Sequence, residues 1–184
     1  MKRFLAPILL VTLLFPSLAL GLEMDDLVER EGLYYEKFTD VPFSGKVTGQ
    51  YQGELKDGKR DGPWVEYWDN GQLRAEGTYK DGELDGPWVA YYITGQLEWE
   101  ATFKDGKPNG PSSNYYDNGP LELEVTFKDG KLNGPSVGYY NNGQLQIKGT
   151  FKDGEQNGPW VAYHKDGTVD DARTGTYKDG EKVE

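Results

Sequence analysis

Few residues of this 184-residue chain have the type and spacing needed for catalysis. His164 is the single histidine and there is no cysteine, which excludes thiol catalysis, disulfides and cysteine-based zinc sites. Ser112 and Ser136 are potential nucleophiles, but the repeated sequence around them supplies no suitably placed base. Glu98 and Glu100 lie on the polar face of a predicted strand and lack the unequal, partly dry surroundings that an acid–base couple requires. We therefore predict that the protein is not an enzyme.

One segment imitates a metal-binding loop. Residues 81–86 place oxygen ligands at alternate positions before a glycine, as in the first half of a calcium loop, and residues 153–158 are a weaker version. The bidentate carboxylate of such a loop is replaced by Tyr92, and the related segment at Lys59 carries a cation at the third position. Asp, Asn and Gly in such segments are typical of turns. The sequence therefore predicts no metal site and no cofactor.

A 24-residue period organises most of the chain. Five full units are predicted at 62–85, 86–109, 110–133, 134–157 and 158–184, the last with a two-residue insertion. A shortened unit spans 43–61, and an acidic lead-in spans 22–42 with one further strand predicted around residues 33–38. The period is carried by Gly-Pro pairs that begin at Gly62, Gly86, Gly110, Gly134 and Gly158.

Each unit predicts a β-hairpin. In the first unit, residues 63–68 favour a strand, Asn70-Gly71 is a turn signal, and residues 72–80 alternate between apolar and polar. The predicted fold class is all-β: an elongated, single-layer antiparallel array of hairpins with roughly ten to twelve strands. Lys-Asp-Gly segments are predicted to link one hairpin to the next.

The register of the hairpins follows from the sizes of opposed residues. A two-residue turn at Asn70-Gly71 predicts that Trp68 faces Leu73 and that large residues meet small ones across each pair. Ser136 opposite Gly149 breaks this rule. The large-to-small pairs are Trp64 with Gly77, Trp88 with Ala101, Ala90 with Trp99, and Gly138 with Ile147.

The repeated motif resembles a known family. Gly-Pro-Trp-Val-x-Tyr-Trp/Tyr-x-x-Gly-Gln-Leu, followed by Thr-Tyr/Phe-Lys-Asp-Gly, is similar to the MORN repeat and more closely to its bacterial variant, over about residues 43–184. The resemblance implies a hairpin array used for protein association or scaffolding, phospholipid contact in some eukaryotic members, and no catalytic activity. Proteins of the bacterial variant are often catalogued as antitoxin components. Ser112 and Ser136 depart from the motif, because other units have tryptophan there.

Eight aromatic residues are the candidate binding residues. Their simplest role is to form the core of the array, because repeats bury their apolar face against their neighbours. Alternatively, Ser112 and Ser136 remove two indoles and open a shallow, aromatic-rimmed depression suited to a cationic or extended peptide, or to a sugar. The candidates are Trp64, Trp68, Trp88, Tyr92, Trp99, Tyr116, Tyr140 and Trp160.

The first 21 residues have the pattern of a secretory signal: a basic start at Lys2-Arg3, an apolar stretch, and small residues before Gly21. Cleavage is predicted after Gly21, with Ala19 as the alternative. An uncleaved N-terminal anchor is the competing interpretation, although the apolar stretch is short for a spanning helix. The sequence therefore predicts an exported chain, periplasmic or secreted after cleavage.

The charge of the chain restricts its partners. The formal net charge is −11, and removal of residues 1–21 would leave 18 basic against 31 acidic residues, or −13. Such a chain does not attract nucleic acid, and it is repelled by anionic membrane surfaces. The predicted function is a protein-binding scaffold that uses the aromatic face, with a partner that is basic. The alternative is an antitoxin or immunity-type neutraliser of a toxin, and the third is phospholipid or glycan contact. Exposed end strands predict a homodimer.

Overall fold

The computed structural model describes residues 21–183. The predicted secretory signal therefore lies outside the described residues except for Gly21. Between residues 21 and 183 the chain forms β-strands and one short 3-10 helix, Met24–Asp26, so the predicted all-β class is confirmed. No helix in this range combines the length and the apolar character that crossing a bilayer requires.

Eighteen strands follow one another along the described chain. The N-terminal strands are β1 (Leu22–Glu23), β2 (Leu27–Arg30), β3 (Leu33–Glu36), β4 (Gly45–Thr48), β5 (Tyr51–Lys56), β6 (Lys59–Arg60), β7 (Gly62–Tyr67), β8 (Leu73–Lys80) and β9 (Glu83–Tyr91). The remaining strands are β10 (Leu97–Lys104), β11 (Lys107–Tyr115), β12 (Leu121–Lys128), β13 (Lys131–Tyr139), β14 (Leu145–Lys152), β15 (Glu155–Gln156), β16 (Gly158–Ala162), β17 (Gly175–Lys178) and β18 (Glu181–Lys182).

Sixteen of these strands form one sheet that grows along the chain. From β4 to β18 neighbours in the sheet are also neighbours in sequence and run antiparallel, with the short strands β6 and β15 pairing beside the main path. At the N-terminal end β1 joins β4 in parallel, and β2 and β3 form a separate hairpin. The sheet has more strands than the ten to twelve predicted because the lead-in and the Asp-Gly segments contribute short strands of their own.

The tight hairpin turns lie at the Lys-Asp-Gly segments, whereas the sequence analysis placed them at Asn-Gly. Asp81 and Gly82 have φ of 52° and 90°, and two central residues with positive φ define a two-residue type I′ turn. The other Lys-Asp-Gly turns also have positive φ at both the Asp and the Gly, and their Asp residues are Asp57, Asp105, Asp129, Asp153 and Asp179. The predicted linkers are therefore the tightest turns of the array.

The Asn-Gly turns are longer than predicted. Gly71 alone has positive φ there, its amide donates to the carbonyl of Trp68 at 2.8 Å, and the Trp68 amide donates to Gln72 at 2.8 Å. The pairing therefore shifts at a bulge, and Leu73 lies opposite Tyr67. The predicted pairing of Trp68 with Leu73 is wrong for this reason.

Substitution of Gly154 by alanine is expected to lower the free energy of unfolding by about 1 to 2 kcal/mol. Gly154 has φ of 99°, and a Cβ atom there would meet no atom within 4 Å, so the cost is backbone strain alone. Urea unfolding followed by circular dichroism measures the loss. Asp153→Asn is the control and should be close to neutral, because asparagine adopts positive φ readily. Equal stability of Gly154→Ala and the parent would contradict this account.

Each buried tryptophan lies over a glycine of the preceding strand. An added Cβ at Gly53 would lie 2.1 Å from the Trp64 ring, and one at Gly77 would lie 2.4 Å from the Trp88 ring. An added Cβ at Gly149 would similarly lie 2.1 Å from the ring of Trp160. The indoles therefore need a flat stretch of backbone beneath them, which glycine alone provides.

The direction in which the buried indole rings lean changes the explanation of the large-to-small pairs. The predicted pairs, including Trp64 with Gly77 and Ser136 with Gly149, are confirmed as strand partners. However, the Trp64 ring covers Gly53 on the other side, and Gly149 accommodates Trp160. Ser136 opposite Gly149 is therefore no exception, because the Trp160 ring of the following hairpin covers Gly149 and leaves no room for a side chain there.

The lead-in is a folded cap. Leu27 of the β2–β3 hairpin joins the buried cluster that contains Leu55 and Trp64. Arg60 occupies the position of Leu84 in the next unit, and its guanidinium carbon lies 4.8 Å from the centroid of the Trp64 ring. Its Nη1 donates to the Tyr79 hydroxyl at 3.0 Å. The N-terminal end of the array is thus closed by a cation enclosed among aromatic rings.

Candidate binding pocket

An open pocket lies between Trp99 and Trp160, on the face of the sheet that carries the buried indoles. Its volume is about 440 Å³, and its floor includes Ser112, Val125 and Ser136. The two serines stand where other units carry the large buried indoles, so the pocket occupies the place predicted for an aromatic-rimmed depression. We call it the central pocket.

The serines leave the central pocket open because no larger side chain replaces the indoles. Ser112 and Ser136 are only 4% and 3% exposed, as in a normal core position. Their partners on the preceding strands are Ala101 and Val125, where the tryptophan units have glycine. The Trp-over-Gly pairs of the outer units are therefore replaced by Ser-over-Ala and Ser-over-Val pairs in the middle.

The two aromatic walls of the central pocket are held in place. The Trp99 indole Nε1 donates to the Ser112 hydroxyl at 3.1 Å, and its ring meets Phe103 edge to face at 5.9 Å. At the opposite end, the Trp160 ring meets Phe151 edge to face at 4.9 Å. Edge-to-face contacts of this kind favour fixed ring orientations. The central pocket is therefore a shaped site with fixed walls.

A second concavity adjoins the central pocket and is acidic. It has a volume of about 400 Å³ and is lined in part by Tyr92, Glu98 and Glu122. Trp99 and Asn114 line both concavities, which are therefore neighbours. We call this second concavity the acidic shelf.

A bulge explains why Glu98 reaches the acidic shelf. Leu97 pairs with Tyr91 and Trp99 pairs with Ala90, so Glu98 has no partner on β9. In a bulge the strict alternation of side chains between the two faces is broken. Regular alternation predicts Glu98 on the polar face, and this prediction is wrong because the bulge interrupts the alternation. The signal that was missed is the length of the turn before it.

The aromatic residues next to the turns form a hydrogen-bonded ladder between units. Tyr92, Tyr116 and Tyr140 each donate from the hydroxyl to a main-chain carbonyl of the following unit at 2.8 Å. Trp68 occupies the corresponding position in the first unit, and its Nε1 donates to the carbonyl of Tyr91 at 3.2 Å. These four predicted site residues therefore connect successive hairpins. Of the four, Tyr92 also lines the acidic shelf.

Stability is expected to fall as pH rises above about 10, the ordinary pKa of tyrosine. Burial raises the pKa of Tyr92 and Tyr116 in the folded chain, and the carboxylates of Glu98 and Glu122 raise the pKa of Tyr92 further. The folded state therefore holds these protons more tightly than the unfolded state, and this stabilisation is present below pH 10 and lost above it. Thermal unfolding midpoints measured from pH 8 to pH 11 test the direction.

The variant Tyr92→Phe/Tyr116→Phe is the control for this pH dependence. It should be less stable than the parent at pH 8, because two hydroxyl hydrogen bonds to carbonyls are lost. Its unfolding midpoint should then decrease less steeply between pH 9 and pH 11. An identical pH profile for the variant and the parent would show that these hydroxyls do not carry the effect.

The remaining candidate residues are placed differently from one another. Trp64 and Trp88 are buried in the core, at 0% and 8% exposed, and neither lines the central pocket. Trp160 is 4% exposed, yet it forms one end of the pocket. Trp99 is half-buried and belongs to both concavities. Of the eight candidates, Trp99, Trp160 and Tyr92 therefore line the central pocket or the acidic shelf.

His164 and the calcium-like segment at Asp81 take part in local contacts and turns. The Nδ1 atom of His164 lies 3.9 Å from Oδ2 of Asp170, which also accepts from Nε of Arg173 at 2.7 Å. Asp81 of the calcium-like segment forms a tight turn with Gly82. Within residues 21–183 there is no group of three or more His, Asp or Glu residues arranged to hold a metal ion.

These features define a class of protein, an antiparallel β-hairpin repeat array with a pocket on one face. The family model described as a MORN repeat variant matches residues 60–81, 108–129 and 132–153. Three segments of the chain are therefore similar to this repeat variant, whose family is generally non-catalytic. No curated protein sequence matches the chain.

One solved structure has partial similarity to this chain. It is described as "Crystal structure of GtfA/B complex bound to UDP and GlcNAc", and it is 14% identical with a TM-score of 0.24. The match covers 73% of this chain and 24% of that chain, so the chain spans about a quarter of its length.

Proposed function

We propose that the protein is a non-catalytic binding scaffold that holds a protein partner on its aromatic face, with the central pocket as the main contact. The observation that carries this proposal is the pocket itself. Two indoles of the repeat are absent at Ser112 and Ser136, and the resulting space of about 440 Å³ remains open. Pockets of about 300 to 1,000 Å³ are typical of ligand sites.

The middle units differ from the outer units on two adjacent strands. The outer units have a glycine before each buried tryptophan, as at Gly149 before Trp160. Ala101 and Val125 stand at the equivalent places before Ser112 and Ser136, so the floor of the pocket carries apolar side chains. An apolar concavity between fixed aromatic walls is suited to a bulky apolar side chain of a partner.

Val125→Gly/Ser136→Trp tests the proposal by restoring the Trp-over-Gly pair of the outer units. The variant should remain folded and fill part of the pocket with an indole. Thr150→Trp is the matched control, because it adds an indole at an exposed position on the opposite face of β14. Tagged full chain is expressed in its host, and proteins bound to the parent and to both variants are compared by mass spectrometry.

The expected result is a partner that binds the parent and Thr150→Trp but not Val125→Gly/Ser136→Trp. Far-ultraviolet circular dichroism and the thermal midpoint confirm that the pocket variant is folded. A partner retained equally by all three chains would contradict the proposal. Phospholipid vesicles and glycan arrays, tested with the same three chains, report on the other two ligand classes.

Export of the chain is part of this proposal. It is supported by the basic start, apolar stretch and small residues of residues 1–21. Mass spectrometry of the chain purified from its host should give a mature form that begins at residue 22, or at residue 20 if cleavage follows Ala19. Full-length chain in the cytoplasm would contradict export.

Neutralisation of a toxin is the second candidate function, and the acidic charge favours it. A chain with a net charge of −11 attracts basic partners over a distance, which increases the rate of association. If the captured partner is toxic when expressed alone, co-expression of the parent should restore growth and the pocket variant should not. If the parent and the pocket variant restored growth equally, neutralisation would not depend on the central pocket.

A homodimer through the end strands also remains a proposal. The strands at the two ends of the described sheet, β1 and β18, have two residues each. Short edges of this kind give few main-chain hydrogen bonds to a second copy. Light scattering at high protein concentration measures the state directly, and a monomer would exclude the dimer.

A further inference from the structure

The central pocket and the acidic shelf are adjacent concavities of different character, and together they are called the groove. Trp99 stands between them as a shared wall, and Asn114 also lines both. The lining of the central pocket is mainly apolar, whereas the acidic shelf carries Glu98 and Glu122. A ligand that occupies both therefore needs an apolar group at one end and a group suited to carboxylates at the other.

The carboxylates of the acidic shelf lack a positive partner within the described chain. None of the seven residues that line the shelf is basic. The ion pairs formed between residues 21 and 183 involve neither Glu98 nor Glu122. Two carboxylates beside the Tyr92 ring therefore give the shelf a negative potential that a cation would neutralise.

The first repeat shows how the fold holds a cation at the corresponding place. The equivalents of Tyr92 and Glu98, 24 residues earlier, are Trp68 and Arg74. The guanidinium carbon of Arg74 lies 5.0 Å from the centroid of the Trp68 ring. Where the chain has an arginine, it thus lies over the aromatic residue next to the turn. In the second and third repeats a glutamate takes the arginine's position, so a cation from another molecule would meet a carboxylate there instead of a guanidinium.

We infer that the groove recognises an extended segment of a partner protein that carries an arginine and a bulky apolar side chain on the same side, two residues apart. This inference rests on the proposed binding function and specifies its ligand. Side chains two residues apart on a strand are separated by about 7 Å, which suits neighbouring subsites that share one tryptophan wall. The arginine binds over Tyr92 between Glu98 and Glu122, and the apolar side chain enters the central pocket.

Arginine fits the acidic shelf better than lysine for two reasons. Its planar guanidinium stacks on an aromatic ring and simultaneously donates to carboxylates in its own plane. It also loses less hydration energy than an ammonium group when it leaves water. The partner's arginine would lie over Tyr92 as Arg74 lies over Trp68 in the first repeat. It would also contact two carboxylates, those of Glu98 and Glu122. Glu98 is the residue that stands at the position of Arg74 in the second repeat.

The test uses synthetic peptides and the full chain. The parent probe is a fluorescein-labelled nonapeptide of Gly and Ser with one Arg and one Leu separated by a single Ser. Two matched probes replace the Arg by Glu or the Leu by Ser. Fluorescence anisotropy at low and at physiological salt should give binding of the parent probe that weakens at least tenfold with either replacement.

Variants of the chain assign the two ends of the peptide to the two concavities. Glu98→Gln/Glu122→Gln should weaken the parent probe at least fivefold and leave the Glu probe unchanged or slightly tighter. Glu83→Gln/Glu181→Gln is the matched control, because it removes the same charge from two exposed positions outside the groove. Val125→Gly/Ser136→Trp should weaken binding of the parent probe. Binding of the probe with Ser in place of Leu should not weaken further, because that probe has no apolar side chain to enter the central pocket.

The outcomes separate this inference from the proposed function. Equal binding of the Arg and Glu probes, or equal effects of the two glutamine variants, would overturn the arginine recognition. If the pocket variant still abolished binding in that case, the apolar site and the proposed function would stand. Absence of binding by every probe at millimolar concentration would also overturn the inference, and the capture experiment would then decide the proposed function separately.

Discussion

Gly149→Val is expected to lower the free energy of unfolding by about 3 kcal/mol, at the upper end of the usual cost of overpacking. A Cβ atom at Gly149 would lie 2.1 Å from Cδ2 and 2.3 Å from Cε2 of Trp160, which is less than van der Waals contact allows. The indole cannot move aside easily, because Phe151 meets it at 4.9 Å and its Nε1 donates to the carbonyl of Thr150 at 3.2 Å. Urea unfolding followed by circular dichroism measures the loss.

A double-mutant cycle tests whether the clash with Trp160 is the cause. Gly149→Val/Trp160→Ser reproduces the pair that Val125 and Ser136 form naturally. The double variant should therefore be more stable than the sum of the two single effects predicts, with a coupling of about 1 to 3 kcal/mol. Thr150→Val, on the opposite face, is the control and should be nearly neutral. Strictly additive effects would refute the Trp-over-Gly account of the core.

Trp64→Ala is expected to lower the free energy of unfolding by about 3 to 5 kcal/mol. Trp64 is fully buried, lies over Gly53, and meets the Tyr79 ring edge to face at 6.1 Å. Its ring also lies 4.8 Å from the guanidinium carbon of Arg60, so truncation both opens a cavity and removes one aromatic face from a half-buried cation. Urea unfolding by circular dichroism gives the size of the loss.

Trp99→Ala is the matched control for Trp64→Ala. Trp99 is half-buried and lines the central pocket, so its removal takes less apolar surface out of contact. Its loss of stability should be clearly smaller, whereas its effect on peptide binding should be large. A loss for Trp99→Ala equal to that for Trp64→Ala would mean that the half-buried wall contributes as much to the fold as the fully buried core.

The repeat period made the architecture predictable. Antiparallel neighbours in this sheet are neighbours in sequence, so each hairpin depends on local turn residues and on alternation within about 24 residues. The place of the central pocket was predictable for the same reason. A repeat assigns equivalent residues to equivalent places, so serine at 112 and 136 indicates a missing indole without any knowledge of distances.

The details of the turns were less predictable. Asp-Gly and Asn-Gly both favour tight hairpin turns, and residue type alone did not distinguish them. In the fold, Asp81 adopts positive φ together with Gly82, while at Asn70-Gly71 only the glycine does. The resulting bulges decide which side Glu98 faces, because one extra residue changes the alternation beyond it. The acidic shelf was missed for this reason.

The sequence by itself determined the hairpin array, its register through most of each unit and the position of the central pocket, since these depend on local periodicity. Only the tertiary structure decided that Trp64 covers Gly53 instead of Gly77 and that residues 22–42 fold as a cap. The physical reason is that a strand within a sheet has two neighbours. Pairing patterns in the sequence do not show toward which neighbour a large ring leans, and steric fit between strands makes that choice.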